Sequence, residues 1–225
     1  MTELDESVRA AFIALDLEID SSVTEIRAQY LGKTSQEKFQ GAIISDEYLQ
    51  REFDKYYKAY VTLLKYLSES DKASGLEYYP PDQVFQFHFN QGVHYFIHQN
   101  YIKAGEKFQE AYKISPRSVS VLLYLGYLLL KRRNYYAAEK YFKDAVRFDK
   151  NNDDAWFYLG ESYLQAGELR KALNMFETSK MLNPGRSELA FKMKEIRERM
   201  EVKHLKEKRQ KYSVLQRFFK KLSGQ

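Results

Sequence analysis

The sequence predicts an all-α protein in which a three-helix N-terminal unit precedes a solenoid of helix-turn-helix repeats and a long C-terminal helix. The first observation behind this prediction is the scarcity of helix breakers, with 4 prolines and 10 glycines among 225 residues. The second is a strict period of 34 residues in the middle of the chain, where Gly92, Gly126 and Gly160 recur in register. Periods of this length are typical of stacked helix pairs that bury their apolar faces against one another.

Four further columns of residues share the 34-residue period. They hold small residues, aromatic residues and helix terminators: Ala104, Ala138 and Ala172; Phe108, Phe142 and Phe176; Ala111, Ala145 and Ser179; Pro116, Lys150 and Pro184. Small residues are expected where two helices cross closely, because a larger side chain would push their axes apart. Each aromatic residue is expected to fill the hole between one unit and the next. Each proline is expected to end a second helix.

The third unit carries the segment WFYLGESYLQAGELRKALNMFETSKMLNP, which resembles the tetratricopeptide repeat family. The resemblance divides residues 85–186 into units 85–118, 119–152 and 153–186. The first two units depart from the family pattern, since Gln91 stands where leucine is usual, Leu129 stands where tyrosine is usual, and the second unit lacks the final proline. The resemblance implies an α-solenoid whose first helices line a concave groove and whose function is protein–protein interaction.

Helical spacing places a mostly apolar set of side chains on that concave face. The candidate partner groove consists of Phe89, Val93, Phe96, Ile97, Leu123, Tyr127, Leu130, Phe157, Glu161 and Leu164. An exposed apolar surface of this size usually marks a binding site, so we expect it to hold an amphipathic helix or an extended apolar peptide of a protein partner. The alternative is that the groove is filled from within, by the chain's own tail or its N-terminal domain.

One subtype of the family binds the C-terminal carboxylates of heat-shock chaperones through lysine, asparagine and arginine side chains. The matching positions in this chain hold Phe89, Val93, Tyr124, Asp154 and Tyr158. None of these residues is a cation, and the carboxylate of Asp154 would repel the carboxylate of such a peptide. The sequence therefore disfavours that subtype.

Residues 1–68 form the predicted N-terminal domain, and a polar linker at 69–84 joins it to the repeats. Ser22 and Glu25 have capping-box spacing, so a helix is expected to begin there, after a first helix that ends near Leu17. A third helix is expected from about Asp46 to Leu67, because FDKYYKAYVTLLKYL carries apolar residues at i, i+3 and i+4.

The three-helix pattern of this domain resembles the J-domain of the DnaJ family. J-domains stimulate DnaK-type ATPases through a His-Pro-Asp tripeptide between their second and third helices. The corresponding segment, LGKTSQEKFQGAIISDEY, contains neither histidine nor proline, and residues 1–84 carry a net charge of −7 where such partners usually require a basic helix. We therefore expect a J-like fold without co-chaperone activity, or, as the alternative, a three-helix cap whose similarity arose by chance.

Residues 187–225 are predicted to form a capping helix followed by a basic amphipathic tail. The capping stripe is Leu189, Met193, Ile196 and Met200. The tail contact residues are Arg217, Phe218, Phe219, Lys220, Lys221 and Leu222, within a segment, 186–225, that carries a net charge of +8. Such a helix can pack intramolecularly, bind a protein partner, or touch an anionic membrane surface or nucleic acid.

The sequence contains no pattern that indicates an enzyme. A phosphate-binding loop, a dinucleotide-binding glycine pattern and a His-Glu-x-x-His zinc motif are all absent, and the lack of cysteine excludes disulfides and thiolate zinc sites. His94 and His98 have a spacing that can hold a metal ion, but no third ligand is evident near them in the sequence. We therefore expect no catalytic residue, no cofactor, no metal and no small-molecule substrate.

These features together predict a non-enzymatic adaptor or scaffold with a chaperone-like or assembly role. No apolar run is long enough for a membrane span, and acidic residues stand where a secretion signal would be basic, so a cytoplasmic location is expected. Two alternatives remain open at this point. The chain could be a J-domain co-chaperone of a DnaK-type ATPase, or it could be a tether that uses its basic tail to hold anionic membrane or nucleic acid.

Overall fold

The computed structural model describes residues 5–35, 43–44, 46–69 and 81–222, with side chains for all of these except 81–82 and 218–222. The described residues form ten α-helices and no strand. The helices are α1 Glu6–Ala14, α2 Val23–Thr34, α3 Glu47–Ser68, α4 Pro81–Ile97, α5 Tyr101–Ile114, α6 Val119–Lys131, α7 Tyr135–Phe148, α8 Asp153–Gln165, α9 Leu169–Leu182 and α10 Glu188–Leu222. This is the all-α architecture that the repeat period and the scarcity of breakers predict.

Helices α1 and α2 both pack against the long helix α3 and share an apolar core with it. Its buried residues include Phe12, Ile26, Tyr30, Tyr60 and Leu63. The rings of Tyr30 and Tyr60 are stacked with their centroids 4.2 Å apart. The N-terminal domain therefore has a core of its own, separate from the larger core of the repeats.

The ends of these helices follow the local capping signals. The Ser22 hydroxyl accepts from the Glu25 N–H while the Glu25 carboxylate accepts from the Ser22 N–H, which is the predicted capping box. Asp46 caps α3 by accepting from the Leu49 N–H. Helix α1 ends at Ala14 rather than near Leu17, because Asp16 adopts a left-handed conformation with φ of 56° that a helix cannot continue through.

Helices α4 to α9 form three antiparallel pairs that stack into a solenoid. In each pair a glycine on the first helix and a phenylalanine 16 residues later on the second helix meet where the two helices cross. A Cβ on Gly126 would lie 2.6 Å from the ring of Phe142, and the Gly92–Phe108 and Gly160–Phe176 contacts repeat this approach at 2.6 and 2.7 Å. The phenylalanines therefore fill the crossing within their own unit, where only glycine leaves room for the ring. Phe108 also reaches the next unit, where it stacks on Tyr124 at 4.5 Å.

Helix α10 begins as a cap on the solenoid and then extends beyond it. Leu189, Met193 and Ile196 are buried, and Met200 packs against the same cluster, as the predicted capping stripe requires. From residue 201 to residue 217 nearly every side chain is exposed. Within the described ranges, no helix is both long and apolar enough to cross a membrane.

The start of the repeats lies ahead of the predicted unit boundary at residue 85. Helix α4 begins at Pro81, which suits the first position of a helix because that position needs no backbone N–H partner. Residues 70–80, which make up most of the predicted linker, lie outside the described residues.

Candidate partner groove

The chain itself occupies the N-terminal part of the concave groove. Ile43 and Ile44, which lie between α2 and α3, are buried in the same hydrophobic cluster as the first helices of the repeats. The Ile44 N–H donates a 3.1 Å hydrogen bond to the phenol of Tyr124, and the Ile44 carbonyl accepts from Gln50 at 3.0 Å. The sequence left two internal occupants of the groove open, the tail and the N-terminal domain. The structure shows the N-terminal domain in this part of the groove.

Five predicted groove residues are at most 8% exposed: Phe89, Val93, Phe96, Leu123 and Phe157. Phe157 keeps one edge on the open cavity described below, whereas the first four are core residues. Phe89 packs against the rings of Phe108 and Tyr124, which belong to the inter-helix core. The expectation that these residues form an open apolar surface is wrong, because they share one buried cluster with Ile43, Ile44 and Phe53 of the N-terminal domain.

The C-terminal part of the groove is an open cavity of about 940 Å³. Its walls come from Ile43, α6, the start of α7, α8, the turn before α10 and the beginning of α10. Four of the predicted groove residues line it, namely Tyr127, Leu130, Phe157 and Glu161. The remaining two, Ile97 and Leu164, are half-buried against the hydrophobic cluster and do not line this cavity. The structure therefore concentrates the candidate binding surface in the second and third repeats.

Aromatic rings form the apolar wall of the cavity. Tyr127 meets Tyr158 edge-to-face at 5.6 Å between centroids, and Tyr158 meets Phe157 in the same way at 5.2 Å. The guanidinium of Arg186 lies 4.6 Å from the centroid of Phe157. Such a wall offers broad apolar contact area together with a phenol that can form hydrogen bonds.

Arg186 holds the acidic groups at one end of the cavity. Its guanidinium forms ion pairs with Asp154 and, at 2.8 Å, with Asp153, both in the first turn of α8. Burial raises the pKa of Asp154, and the ion pair with Arg186 opposes that rise. The sequence predicted that Asp154 would repel a bound carboxylate, but its charge is matched within the protein.

The cations that line the cavity differ in whether an acidic side chain pairs with them. Lys192 pairs with Glu161 at 2.8 Å, so it is engaged in the same way as Arg186. Lys131 and Arg133 also line the cavity and are exposed, and neither has an acidic partner among the described side chains. The ammonium of Lys131 lies 5.2 Å from the centroid of the Tyr127 ring. The open cavity thus presents an aromatic wall beside two cations that are available to a ligand.

The predicted tail contacts lie far along α10. Arg217 is exposed, and the side chains of Phe218, Phe219, Lys220, Lys221 and Leu222 lie outside the described set. The helix backbone nevertheless continues to Leu222. Because residues 201–217 are almost wholly exposed, this part of the tail does not fill the groove.

Sequence reasoning missed several residues that shape this region. The pair Ile43–Ile44 stands inside an otherwise polar segment, and that isolated apolar pair was the available signal for a docking contact. Arg186 carried no comparable signal, since its acidic partners lie 32 and 33 residues away. Asp54 of α3 is a further case, because it lies against both His94 and His98 of α4.

Comparison with known proteins agrees with the repeat architecture of α4 to α9. Residues 129–194 match the model of the family described as tetratricopeptide repeat. The solenoid is a tetratricopeptide repeat fold. The first tetratricopeptide domain of human RPAP3 aligns with a TM-score of 0.52 at 17% identity, covering 56% of this chain and 98% of that one. YrrB, described as a tetratricopeptide repeat protein with an unusual peptide-binding site, aligns with a TM-score of 0.51 at 19% identity, covering 86% and 85%.

Curated relatives share only part of their length with this chain. Human cilia- and flagella-associated protein 70 is 34% identical over 92 residues, which is 40% of this chain and 8% of the relative. Superkiller protein 3 of Schizosaccharomyces pombe is 35% identical over 60 residues, which is 27% of this chain and 4% of the relative. The chain therefore spans less than a tenth of the length of either relative. The J-like identity of residues 1–68 stays a prediction.

Proposed function

We propose that this chain is a protein-interaction adaptor whose open groove in the second and third tetratricopeptide repeats binds a segment of a partner protein. The observation that carries the proposal is the cavity of about 940 Å³ with an aromatic wall and two unmatched cations at its rim. The concave shape and the mixture of aromatic rings with charged and polar groups favour an amphipathic peptide segment, and concave sites of this kind are the usual places for ligands.

The charges of the groove indicate the composition of that segment. The acidic groups Asp154 and Glu161 already have cationic partners within the protein, while Lys131 and Arg133 have none among the described side chains. A segment with apolar residues on one face and an acidic residue beside Lys131 would complement both features. The first tetratricopeptide domain of Spaghetti, which aligns with a TM-score of 0.51, is described as bound to the HSP90 peptide SRMEEVD, so a domain of this fold accepts an acidic segment. The positions that match the carboxylate-binding subtype hold no cation in this chain, so the acidic residue of its ligand is expected beside Lys131 instead.

The test is a selection of random displayed peptides on the immobilised chain. We expect selected peptides to combine acidic residues with apolar residues at helical spacing. Tyr127→Ala should weaken their binding about tenfold or more, since truncating a buried aromatic anchor often costs about 2 kcal/mol. Lys131→Glu should weaken it further at low salt. Tyr136→Ala is the matched control, because Tyr136 on α7 is 73% exposed and does not line the cavity.

Two results would overturn the proposal. One is a set of peptides whose binding survives both Tyr127→Ala and Lys131→Glu. The other is a selection that yields peptides of basic composition, since those would meet the unmatched cations of the rim with like charge.

The exposed part of α10 supports a second contact with an acidic protein segment. Val202, Leu205, Tyr212, Val214 and Leu215 are all exposed on a helix rich in lysine and arginine. In the Tyr127→Ala, Lys131→Glu background, removing residues 203–225 should abolish the remaining salt-sensitive binding to an acidic peptide; in the otherwise native chain the same removal should leave groove binding unchanged. Equal or stronger binding of the intact chain to anionic vesicles or to a polynucleotide would instead favour the tether alternatives.

A further inference from the structure

Helices α3 and α4 bring one carboxylate and two imidazoles to a single point where the N-terminal domain meets the first repeat. The Oδ1 atom of Asp54 lies 3.0 Å from His94 Nδ1 and 2.9 Å from His98 Nε2. The ligand atoms of the three residues all lie within 4.8 Å of one another. The sequence supplied the two histidines without a third ligand, and the fold supplies it from a different helix.

We propose that Asp54, His94 and His98 form a binding site for a divalent transition-metal ion, with Zn²⁺ as the preferred ion. Two imidazole nitrogens and one carboxylate oxygen are a ligand set that zinc accepts, and the i, i+4 spacing on α4 presents both rings on one face. This site lies outside the groove proposed above and does not depend on it.

The distances are close to those that a shared ion would impose. A metal about 2.1 Å from each ligand, with angles between those of octahedral and tetrahedral geometry, places ligand atoms about 3.0–3.4 Å apart. The two Asp54–histidine distances, 2.9 and 3.0 Å, are close to this range. The two histidine nitrogens lie within 4.8 Å of each other, and a rotation of the exposed His98 side chain would bring them to the distance that a shared ion requires. The side chain of His98 is 46% exposed, so solvent can reach the site and complete the coordination shell.

The neighbouring side chains orient the ligands. The ring of Tyr57 stacks on that of His94 with centroids 3.9 Å apart, which fixes the plane of the imidazole. Lys58 Nζ holds the other carboxylate oxygen of Asp54 at 2.6 Å, so that Oδ1 faces the two histidines. Groups of this kind commonly strengthen metal binding because they restrict the ligands to productive orientations.

Metal binding would replace the hydrogen bonds that now join these three residues. Without an ion, His94 Nδ1 and His98 Nε2 lie within hydrogen-bond distance of Asp54 Oδ1. Each of these nitrogens binds metal only without its hydrogen, so metal uptake here should release protons.

A bound ion would join α3 to α4 and thereby fix the N-terminal domain on the repeats. Helix α3 starts three residues after Ile44, which donates its hydrogen bond to Tyr124 in the groove. Metal binding at Asp54 would therefore stabilise the internal filling of the groove, because ligands that bind only the folded arrangement stabilise it.

The proposal is tested by calorimetric titration of the chelator-treated full chain with ZnCl₂. We expect uptake of one ion per chain together with a rise in the melting temperature. His98→Gln and Asp54→Asn should each weaken the affinity at least about tenfold, since even the loss of an outer partner of a metal ligand typically costs 10–100-fold. His204→Gln is the matched control, because His204 is an exposed histidine on α10 away from the site. The affinity of this variant for Zn²⁺ should equal that of the native chain.

A second measurement separates coordination from a merely structural role. Co²⁺ added to the native chain should give visible absorption bands of a nitrogen-ligated ion, and His98→Gln should remove them while its circular dichroism stays native. Absence of saturable uptake at one ion per chain would overturn the proposal. So would uptake that His98→Gln and Asp54→Asn leave unchanged.

Discussion

The backbone N–H of Ile44 donates a 3.1 Å hydrogen bond to the phenol oxygen of Tyr124, which lies eighty residues further along the chain. The phenol is fully buried, and this burial raises the pKa of Tyr124 well above its usual value, against the opposing effect of the Ile44 hydrogen bond. The phenol therefore stays protonated over the range in which proteins are handled. One buried polar contact thus joins the N-terminal domain to the second repeat.

Tyr124→Phe should destabilise the fold by about 1–3 kcal/mol, because it leaves the buried Ile44 N–H without an acceptor. The free energy of unfolding from denaturant titration measures this loss. Tyr158→Phe is the matched control, since Tyr158 is also largely buried but its hydroxyl has no hydrogen-bond partner among the described residues. Equal losses in the two variants would show that the Ile44 contact contributes nothing.

Gly126→Ala should destabilise the chain by about 1–3 kcal/mol, as overpacking of a well-packed core does. The new Cβ would lie 2.6 Å from the ring of Phe142, a distance that no real Cβ tolerates without movement. Gly105→Ala provides the comparison, because its Cβ would meet only Leu128 at an ordinary 3.6 Å within the interior of α5. The free energy of unfolding of that variant should rise by about 0.5–1 kcal/mol, because alanine has a higher helix propensity than glycine. If Gly126→Ala and Gly105→Ala had similar melting temperatures, the close contact between Gly126 and Phe142 would be contradicted.

Ile196→Ala should cost about 2–5 kcal/mol, the usual effect of truncating a fully buried aliphatic side chain. Ile196 is 1% exposed in the cap that α10 forms on the solenoid. Leu205→Ala, on the exposed part of the same helix, should change stability by no more than about 0.5 kcal/mol. A large loss in Leu205→Ala, measured by denaturant titration, would mean that the extended part of α10 is packed in solution.

The unfolding free energy should fall as the pH falls through the range where His88 titrates. His88 Nδ1 lies 2.8 Å from the Glu110 carboxylate, but burial lowers the pKa of His88 despite that ion pair. The unfolded state therefore takes up a proton at a higher pH than the folded state. The contribution of neutral His88 to stability is fully present above about pH 6.5 and is lost as the pH falls through the lower pKa of the folded state. His88→Asn should flatten this dependence in chelator-containing buffer. His204→Asn should leave the pH dependence of the unfolding free energy unchanged. A steeper pH dependence in His88→Asn than in the native chain would contradict the prediction.

The sequence predicted those parts of the fold that depend on local signals. The Ser22–Glu25 capping box, the start of the third helix near Asp46 and the 34-residue register are each visible in the local sequence, because the residues that satisfy a helix end or a repeat crossing stand at fixed offsets. The capping stripe of α10 was predictable for the same reason, since its residues recur at helical spacing.

Contacts between distant segments could not be predicted in this way. Periodicity placed Phe89 and Val93 together on one face of α4, but it carried no information about the Ile43–Ile44 pair that shares their buried cluster. The contact between Asp54 and His94 could not be predicted either, because these residues are 40 positions apart and no repeat or motif links them. The candidate site therefore shifted to the second and third repeats only once the tertiary contacts were known.

The contact between residues 44 and 124 also bears on the order in which the chain assembles. Contacts between neighbouring helices of the repeats close short loops, so these units can form early and propagate from one to the next. The Ile44 contact closes a loop of eighty residues, and its acceptor exists only after α6 has packed. On a ribosome, Ile44 emerges long before Tyr124 does. The segment that is synthesised first is therefore expected to dock last, and until then its apolar pair is exposed to whatever else the nascent chain meets.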